Sequence, residues 1–383
     1  MFILLDDTII LIIATQHNLL FIFPTRLQQF SAPMDTIDTI SQLLCSSNSQ
    51  FRIYDIGRKI EKIPKDIFGK IELNQLPYPS PSQGHACIAI AFWQKKSPQP
   101  FLWLLKLPLD ERGLLNQGAR NHFLAIIVEA LGADLTQSVD KRQEELLKNN
   151  PYLYTPAQYK LAALNSKIKF ELSQTPSEYL SPFISYITGA DGWDNWQAVG
   201  VQGITDFAVR IKQETSNKKH SQLLINALPY LPSEVLLPLC GALENETFSA
   251  DLIDALLKLF KEKCKMTVNT EVDVQLQQHL LRSLASNSQH VHVKELVCEL
   301  LQQQHVSSEL LITLSGRCWL TLADSEQLMA FFEHLVLSND QALFNSVFKD
   351  LVSIPVIRPI VFECMRAPER SAELSKAIGA LFN

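Results

Sequence analysis

The chain has 383 residues, of which 46% are hydrophobic and 19% are charged, so it is long enough for two or three domains and too apolar to be intrinsically disordered. Its formal net charge of −6 argues against a general nucleic-acid binder, which presents a basic face. Only 13 glycines occur where average composition gives roughly 27, which disfavours glycine-rich nucleotide-binding folds and favours helices.

Residues 1–33 differ in character from the rest of the chain. The apolar run at residues 8–14 follows two acidic residues and is far shorter than the ~20 apolar residues of a membrane-spanning helix. An interfacial membrane helix would carry a basic face, which this stretch lacks. We therefore expect residues 1–33 to be an extension outside the fold, with Met34 as the native start. A loosely docked extension and a peripheral membrane anchor are the alternatives.

Residues 34–132 are expected to form an α+β module with a small antiparallel sheet and helices. Apolar residues at helical spacing follow Met34 and predict a first helix. Alternating patterns predict four strands, over residues 51–56, 71–76, 85–94 and 101–107. We expect the last two strands to pair as an antiparallel hairpin. A helix from residue 114 is expected to end at Gly132, which fits a C-cap.

Charged residues stand at the ends of these predicted elements. Lys106 lies inside an apolar strand, where an unpaired charge is costly, so it needs Asp55, Asp110 or an anionic ligand as a partner. The candidate cluster consists of Asp55, Arg58, Lys106, Asp110, Arg112 and Arg120. Three interpretations stay open: a structural ion-pair network at the sheet edge, which we favour, an anion-binding site, and a catalytic Lys–Asp pair.

Three runs of sequence in this module carry a family resemblance. They are FRIYDIGRKIEKI at residues 51–63, LPYPSPSQ at residues 76–83 and FLWLLKLPLDERGLL at residues 101–115. In these runs the chain resembles the gammaproteobacterial family called domain of unknown function 3549. The resemblance extends from Met34 to the end of the chain. It implies a bacterial protein that starts at Met34, and it assigns no activity, cofactor or site residue.

Beyond residue 132 the sequence predicts helices almost throughout. Residues 133–218 are interpreted as a helical connector and residues 219–383 as short helices joined by polar turns. Helices this short persist only by burying their apolar stripes against neighbours. Helix pairs recur roughly every 30 to 40 residues, as in helical solenoids. We therefore predict a HEAT-like helical array, with a closed helical bundle as the alternative.

Sequence motifs for phosphate binding, dinucleotide binding and hydrolysis do not occur in the chain. The best metal candidate is the group His290, His292, Cys298 and His305, with Glu295 and Glu299 nearby. Zinc needs four ligands that converge tetrahedrally, and two histidines two residues apart do not share one helix face. We therefore expect solvated histidines here, and neither a metal nor a cofactor.

The run at residues 191–196 interrupts the helical pattern with two tryptophans, Trp193 and Trp196, beside two aspartates. Such a group fits a binding surface, whereas burial of the tryptophans at a helix start is the interpretation that we favour. The acidic residues do not have the spacing of a calcium loop.

The seven cysteines are scattered and form no CxxC pair, which is typical of reduced thiols and predicts a cytoplasmic protein. The helical array and the missing catalytic motifs favour a non-enzymatic interaction or scaffold protein whose partner is another protein. Arg317 and Trp319 are candidate anchors on the array, although Trp319 also fits a core position.

Two other functions stay open at this point. One is an enzyme that uses Lys106, Asp110 and Arg120 at the junction of the module and the array. The other is an RNA-associated protein with a local basic face. The residues of that face would be Arg52, Arg58, Lys59 and Lys62.

Overall fold

The computed structural model describes residues 4–5, 8–9, 37–94, 100–132, 135, 140–211, 219–264 and 271–382. Contacts within the chain divide it into two compact units. Unit 1 comprises Met1–Asp55, Lys62–Tyr78 and Gly84–Thr155, and unit 2 comprises Ile56–Glu61, Pro79–Gln83 and Pro156–Asn383. Of the predicted extension, only β1 (Leu4–Leu5) and β2 (Thr8–Ile9) are described, as a short antiparallel pair. The rest of it and Met34 lie outside the described residues.

Unit 1 is built on a four-stranded sheet with the strand order β4-β3-β5-β6. The strands are β3 (Ser49–Asp55), β4 (Glu61–Ile63), β5 (His85–Gln94) and β6 (Phe101–Pro108). The predicted hairpin is confirmed, because β5 and β6 pair antiparallel with Ile88 opposite Leu105. Phe92 lies 4.5 Å from Trp103 between ring centres, and Trp103 meets Phe123 edge-on, so aromatic contacts fill the core on this face.

Four helices accompany the sheet of unit 1. They are α1 (Ile40–Ser46), α2 (Lys65–Glu72), α3 (Gln117–Leu131) and α4 (Lys141–Lys148). The strand predicted over residues 71–76 is wrong, because α2 already buries Phe68 and Ile71 on one helical face. Asn74 then adopts a left-handed φ of 56°, which ends the helix and does not continue as a strand. Helix α3 ends at Gly132, as predicted.

Unit 2 is helical from residue 158 to the end of the described chain, as predicted. Its helices are α5 (Gln158–Glu171), α6 (Leu180–Ile187), α7 (Val201–Arg210), α8 (Lys219–Ala227), α9 (Ser233–Leu243), α10 (Ala250–Cys264), α11 (Glu271–Ser283), α12 (Val291–Leu301), α13 (Ser308–Arg317), α14 (Ser325–Leu337), α15 (Gln341–Ser353), α16 (Arg358–Arg366) and α17 (Ala372–Gly379). Short 3-10 turns join several of them. The predicted boundary at residue 218 lies outside the described residues.

Alternate helices of unit 2 pack against one another. Helices α5, α7, α9, α11, α13 and α15 form one series of neighbours, which we call the odd row. Helices α6, α8, α10, α12, α14 and α16 form a second series, the even row. Apolar side chains from Phe183 to Ile378 make one continuous core. The fold is therefore α+β: a small antiparallel sheet with helices, and a helical array.

Candidate functional site

Two short segments of the chain, residues 56–61 and 79–83, belong to unit 2 although their neighbours in sequence belong to unit 1. Neither segment is helical. Both lie against polar side chains of the odd row. We call the side chains that contact them, together with the charged residues around those side chains, the charged face. Its residues are Tyr159, Lys160, Glu244, Asn245, Arg282, Arg317 and Asp350.

Arg58 is the central residue of the first segment. It is only 3% exposed, and its guanidinium donates to the carbonyl oxygen of Pro81 at 2.7 Å and to that of Ser315 at 3.1 Å. It also forms an ion pair of 2.7 Å with Asp350 on α15. The other carboxylate oxygen of Asp350 accepts from the backbone N–H of Gln83 at 3.2 Å. One Arg–Asp pair therefore connects both segments to the odd row.

Trp319, which follows α13, provides an aromatic surface beside this pair. It is buried, and the guanidinium of Arg58 lies 5.1 Å from its ring centre. The ammonium group of Lys59 lies 5.9 Å from the same ring and 3.2 Å from Glu61. Cation–π contacts of this kind stabilise a desolvated charge. The candidate anchor Trp319 is thus a core residue of unit 2.

Two further side chains bind the backbone of the first segment. Asn245, just after α9, accepts from the N–H of Ile60 at 2.6 Å. Lys160 on α5 donates to the carbonyl oxygens of Ile56, at 2.7 Å, and Gly57. Side chains on α5 and just after α9 therefore satisfy backbone donors and acceptors of this non-helical segment, which buried backbone groups require.

A buried carboxylate organises the charges around these contacts. Glu244 is fully buried and accepts two hydrogen bonds from Arg282, one of them at 2.7 Å, while Arg317 lies 3.7 Å away. Burial opposes the charge of Arg282, but its hydrogen bonds to Glu244 and the charge of Glu244 outweigh this and raise the pKa of the guanidinium. Arg282 also stacks 4.8 Å over Tyr159. The charged face is therefore a connected network on α5, α9, α11, α13 and α15.

The structure gives three of the predicted cluster residues separate surroundings. Asp55 is buried in unit 1 and accepts from the hydroxyl of Tyr78 at 2.6 Å. Arg58 belongs to unit 2, as described above. Lys106 is half-buried on β6, and its backbone N–H donates to Tyr152. The side chain of Lys106 forms no hydrogen bond or ion pair with the described residues, so neither predicted carboxylate pairs with it.

The other three lie elsewhere in unit 1. Asp110 and Arg112 do meet, at 3.4 Å on an exposed turn. Desolvation opposes the charge of Asp110, but hydrogen bonds from the N–H groups of Leu114 and Arg112 together with the Arg112 charge outweigh it and lower the pKa of this carboxyl. Arg120 is buried, donates to the carbonyl oxygen of Glu72, and has its pKa lowered by burial. The six residues therefore comprise one pair, Asp110 and Arg112, and four residues in separate surroundings.

Sequence reasoning identified Arg58 but missed most of the charged face. The residues that it missed are Tyr159, Lys160, Glu244, Asn245, Arg282 and Asp350. One local signal did exist: Glu244, Asn245 and Glu246 are polar residues between apolar runs, and such residues must be paired when buried.

Comparison with known proteins gives one result. Residues 35–382 match the family described as "Protein of unknown function (DUF3549)". The chain belongs to this family. The family resemblance found in three sequence runs is thus confirmed, and two of those runs, residues 51–63 and 76–83, contain the two non-helical segments of unit 2. No curated protein and no solved structure gives a significant match.

The best metal candidate was the group His290, His292, Cys298 and His305, of which His292 and Cys298 lie on α12. In the structure His292 binds Asp254 at 2.6 Å, and the ring of His290 lies 5.1 Å from that of His292. Among the described residues, no group of three or more His, Cys, Asp or Glu side chains is placed to hold a metal ion. An open pocket of 460 Å³ lies beside His292, and its charged groups are mostly paired with one another or with Glu299.

The four residues of the proposed basic face have different surroundings, and of these Lys62 is exposed in unit 1. Arg58 and Lys59 are both buried in unit 2 and bind carboxylates and Trp319. Arg52 instead lies 5.5 Å from the ring of Trp93 in unit 1. Separately, none of the helices in the described ranges combines the length and the apolar character needed to cross a bilayer.

Proposed function

We propose that this DUF3549 protein is a non-enzymatic interaction scaffold whose helical array binds non-helical segments of another protein. One observation carries the proposal: Lys160 and Asn245 bind the backbone of residues 56–61, and Asp350 on α15 accepts from the N–H of Gln83 in residues 79–83. Backbone N–H and C=O groups are common to every sequence, so a row of helices that satisfies them is suited to binding extended chain.

We further propose that the array is HEAT-like in layout. Each helix packs against its neighbours in its own row, and several also contact helices of the other row. Stacked helix pairs produce this arrangement. A closed bundle would instead surround one central core with all of its helices. Stacked pairs present long surfaces on both rows, and such surfaces are suited to protein partners.

We propose the cytoplasm as the compartment of this protein. The described cysteines Cys45, Cys87, Cys240, Cys298, Cys318 and Cys364 are free thiols. Free thiols are typical of a reducing compartment, where disulfides are rare. This supports the cytoplasm, and subcellular fractionation of the native host would test it.

Site-specific photo-cross-linking in the native host tests the scaffold function. A benzoylphenylalanine is placed at Ile312 on α13 or at Val201 on α7, which are exposed positions of the odd row. Leu73 in unit 1 is the matched control, because it is also an exposed apolar residue. We expect discrete adducts with a partner protein at the array positions, mapped by mass spectrometry to a non-helical segment of that partner. Adducts at neither array position, or equal adducts at Leu73, would contradict the proposal.

A further inference from the structure

A stacked aromatic pair lies on the surface of unit 2. Trp193 begins the 3-10 turn Trp193–Ala198, and Tyr230 ends the turn Leu228–Tyr230. Their rings are nearly parallel, with 5.5 Å between centres and 11° between planes. Tyr230 is 62% exposed, so the ring face that is turned away from Trp193 is open to solvent. We call Trp193 and Tyr230, with the carboxylates beside them, the aromatic patch.

Contacts beneath the patch fix the position of Trp193. Tyr186 is buried, meets Trp193 edge-on at 5.7 Å, and donates its hydroxyl to the Trp193 carbonyl oxygen at 2.9 Å. Gly189 has a φ of +77°, and a Cβ there would lie 3.0 Å from the indole ring. The glycine is therefore required both by the backbone and by the close approach of Trp193. The aromatic surface is held in place before any ligand arrives.

Three exposed carboxylates accompany the rings. Asp191 and Asp194 flank Trp193 in sequence, and Glu234 lies four residues after Tyr230, in the first turn of α9. Burial first, and then the charges of Asp194 and Glu234, raise the pKa of the Tyr186 hydroxyl beneath the patch. Within the described ranges none of the three carboxylates forms an ion pair, and no Lys or Arg lies over either ring.

We propose that the aromatic patch is a docking site for a basic segment of the partner protein, with an Arg or Lys side chain over the open face of Tyr230. The negative face of an aromatic ring attracts a cation, and Asp191, Asp194 and Glu234 supply the counter-charges. Trp and Tyr are also the residues on which binding energy concentrates at protein interfaces. This inference rests on the proposed scaffold function and adds the chemistry of the partner.

Selection of random seven-residue peptides displayed on phage, with the full chain as target, tests this directly. We expect enriched peptides to contain Arg or Lys, and replacement of that residue by Gln in the peptide to abolish binding. Tyr230→Ala should raise the Kd of an enriched peptide at least about fivefold, whereas Tyr230→Phe keeps the ring and should leave the Kd nearly unchanged. Asp191→Asn combined with Asp194→Asn should raise the Kd about threefold or more at low salt.

Phe362→Ala and Glu363→Gln on α16 are the matched controls, because both residues are exposed and lie on another helix. They should leave the Kd unchanged. The aromatic patch is not the docking site if no peptide is enriched, if enriched peptides lack Arg and Lys, or if Tyr230→Ala binds them equally well. Cross-linking of the chain with unaltered Tyr230 then separates the docking site from the scaffold function. Adducts at Ile312 or Val201 leave the scaffold function standing even if the peptide test fails, and the absence of adducts at both positions contradicts it.

Discussion

At the scale of single residues, Arg58 shows how a buried charge is accommodated. An unpaired guanidinium in the interior would cost several kcal/mol of unfolding free energy. Arg58 avoids this with two carbonyl oxygens, the carboxylate of Asp350 and the ring of Trp319. This set of contacts stabilises the fold only when all partners are present, since the loss of one leaves the others buried without a hydrogen-bond or charge partner.

Replacement of Arg58 tests this dependence. We expect Arg58→Met to lower the free energy of unfolding by about 3 kcal/mol, because Asp350 loses its counter-charge and the carbonyls of Pro81 and Ser315 lose a donor. Urea denaturation of the full chain measures the change. Arg112→Met is the control, because the Arg112–Asp110 pair is exposed and should contribute about 1 kcal/mol or less. Equal effects of the two substitutions would argue against the buried pair.

The thiols give a second prediction at this scale. Burial raises the pKa of both Cys240 and Cys318 to about 12, whereas Cys45 is exposed. The thiolate is the reactive form, so these two buried cysteines should resist iodoacetamide at pH 8 until the chain unfolds, while Cys45 is alkylated. Mass spectrometry of the peptides measures each site. Alkylation of Cys318 in the folded chain at the rate of Cys45 would contradict its burial.

At the scale of elements, hydrophobic periodicity predicted most of the structure. The strand over residues 85–94 has the predicted ends, because its pattern is long and regular. The strand over residues 71–76 failed because its alternation is short and overlaps a helical face that begins at residue 65. A short apolar run fits both periods, so only its neighbours in the fold decide between them.

Close packing between two helices provides the prediction for this scale. A Cβ at Gly203 on α7 would lie 2.3 Å from the backbone carbonyl oxygen of Tyr179, and a backbone atom cannot move away cheaply. Gly203→Ala should therefore lower the stability of the chain by roughly 1–3 kcal/mol. Gly316→Ala on α13 is the control, because a Cβ there meets no other atom. This substitution should raise the free energy of unfolding by up to about 1 kcal/mol. Thermal unfolding compares the two, and an unchanged midpoint for Gly203→Ala would refute the close approach.

At the scale of the whole molecule, the sequence predicted a helical array but not which residues meet on its charged face. The Arg58–Asp350 bond joins residues 292 positions apart, and Arg58 meets Ser315 across 257 positions. Local patterns contain no information on such partners. The predicted cluster was assembled from nearness to the sheet, so it placed Arg58 with Lys106 and Asp110 and not with the odd row.

Hydrogen–deuterium exchange of the full chain tests most directly whether the helical array holds the non-helical segment at residues 56–61. The N–H of Ile60 donates to Asn245, and that of Gln83 donates to Asp350. Peptides that cover residues 56–61 should therefore exchange about as slowly as those from α11, and Asn245→Ala should accelerate exchange there without affecting β5. Amide exchange of residues 56–61 within seconds in the native chain, or exchange rates that Asn245→Ala leaves unchanged, would show that the array does not bind this segment.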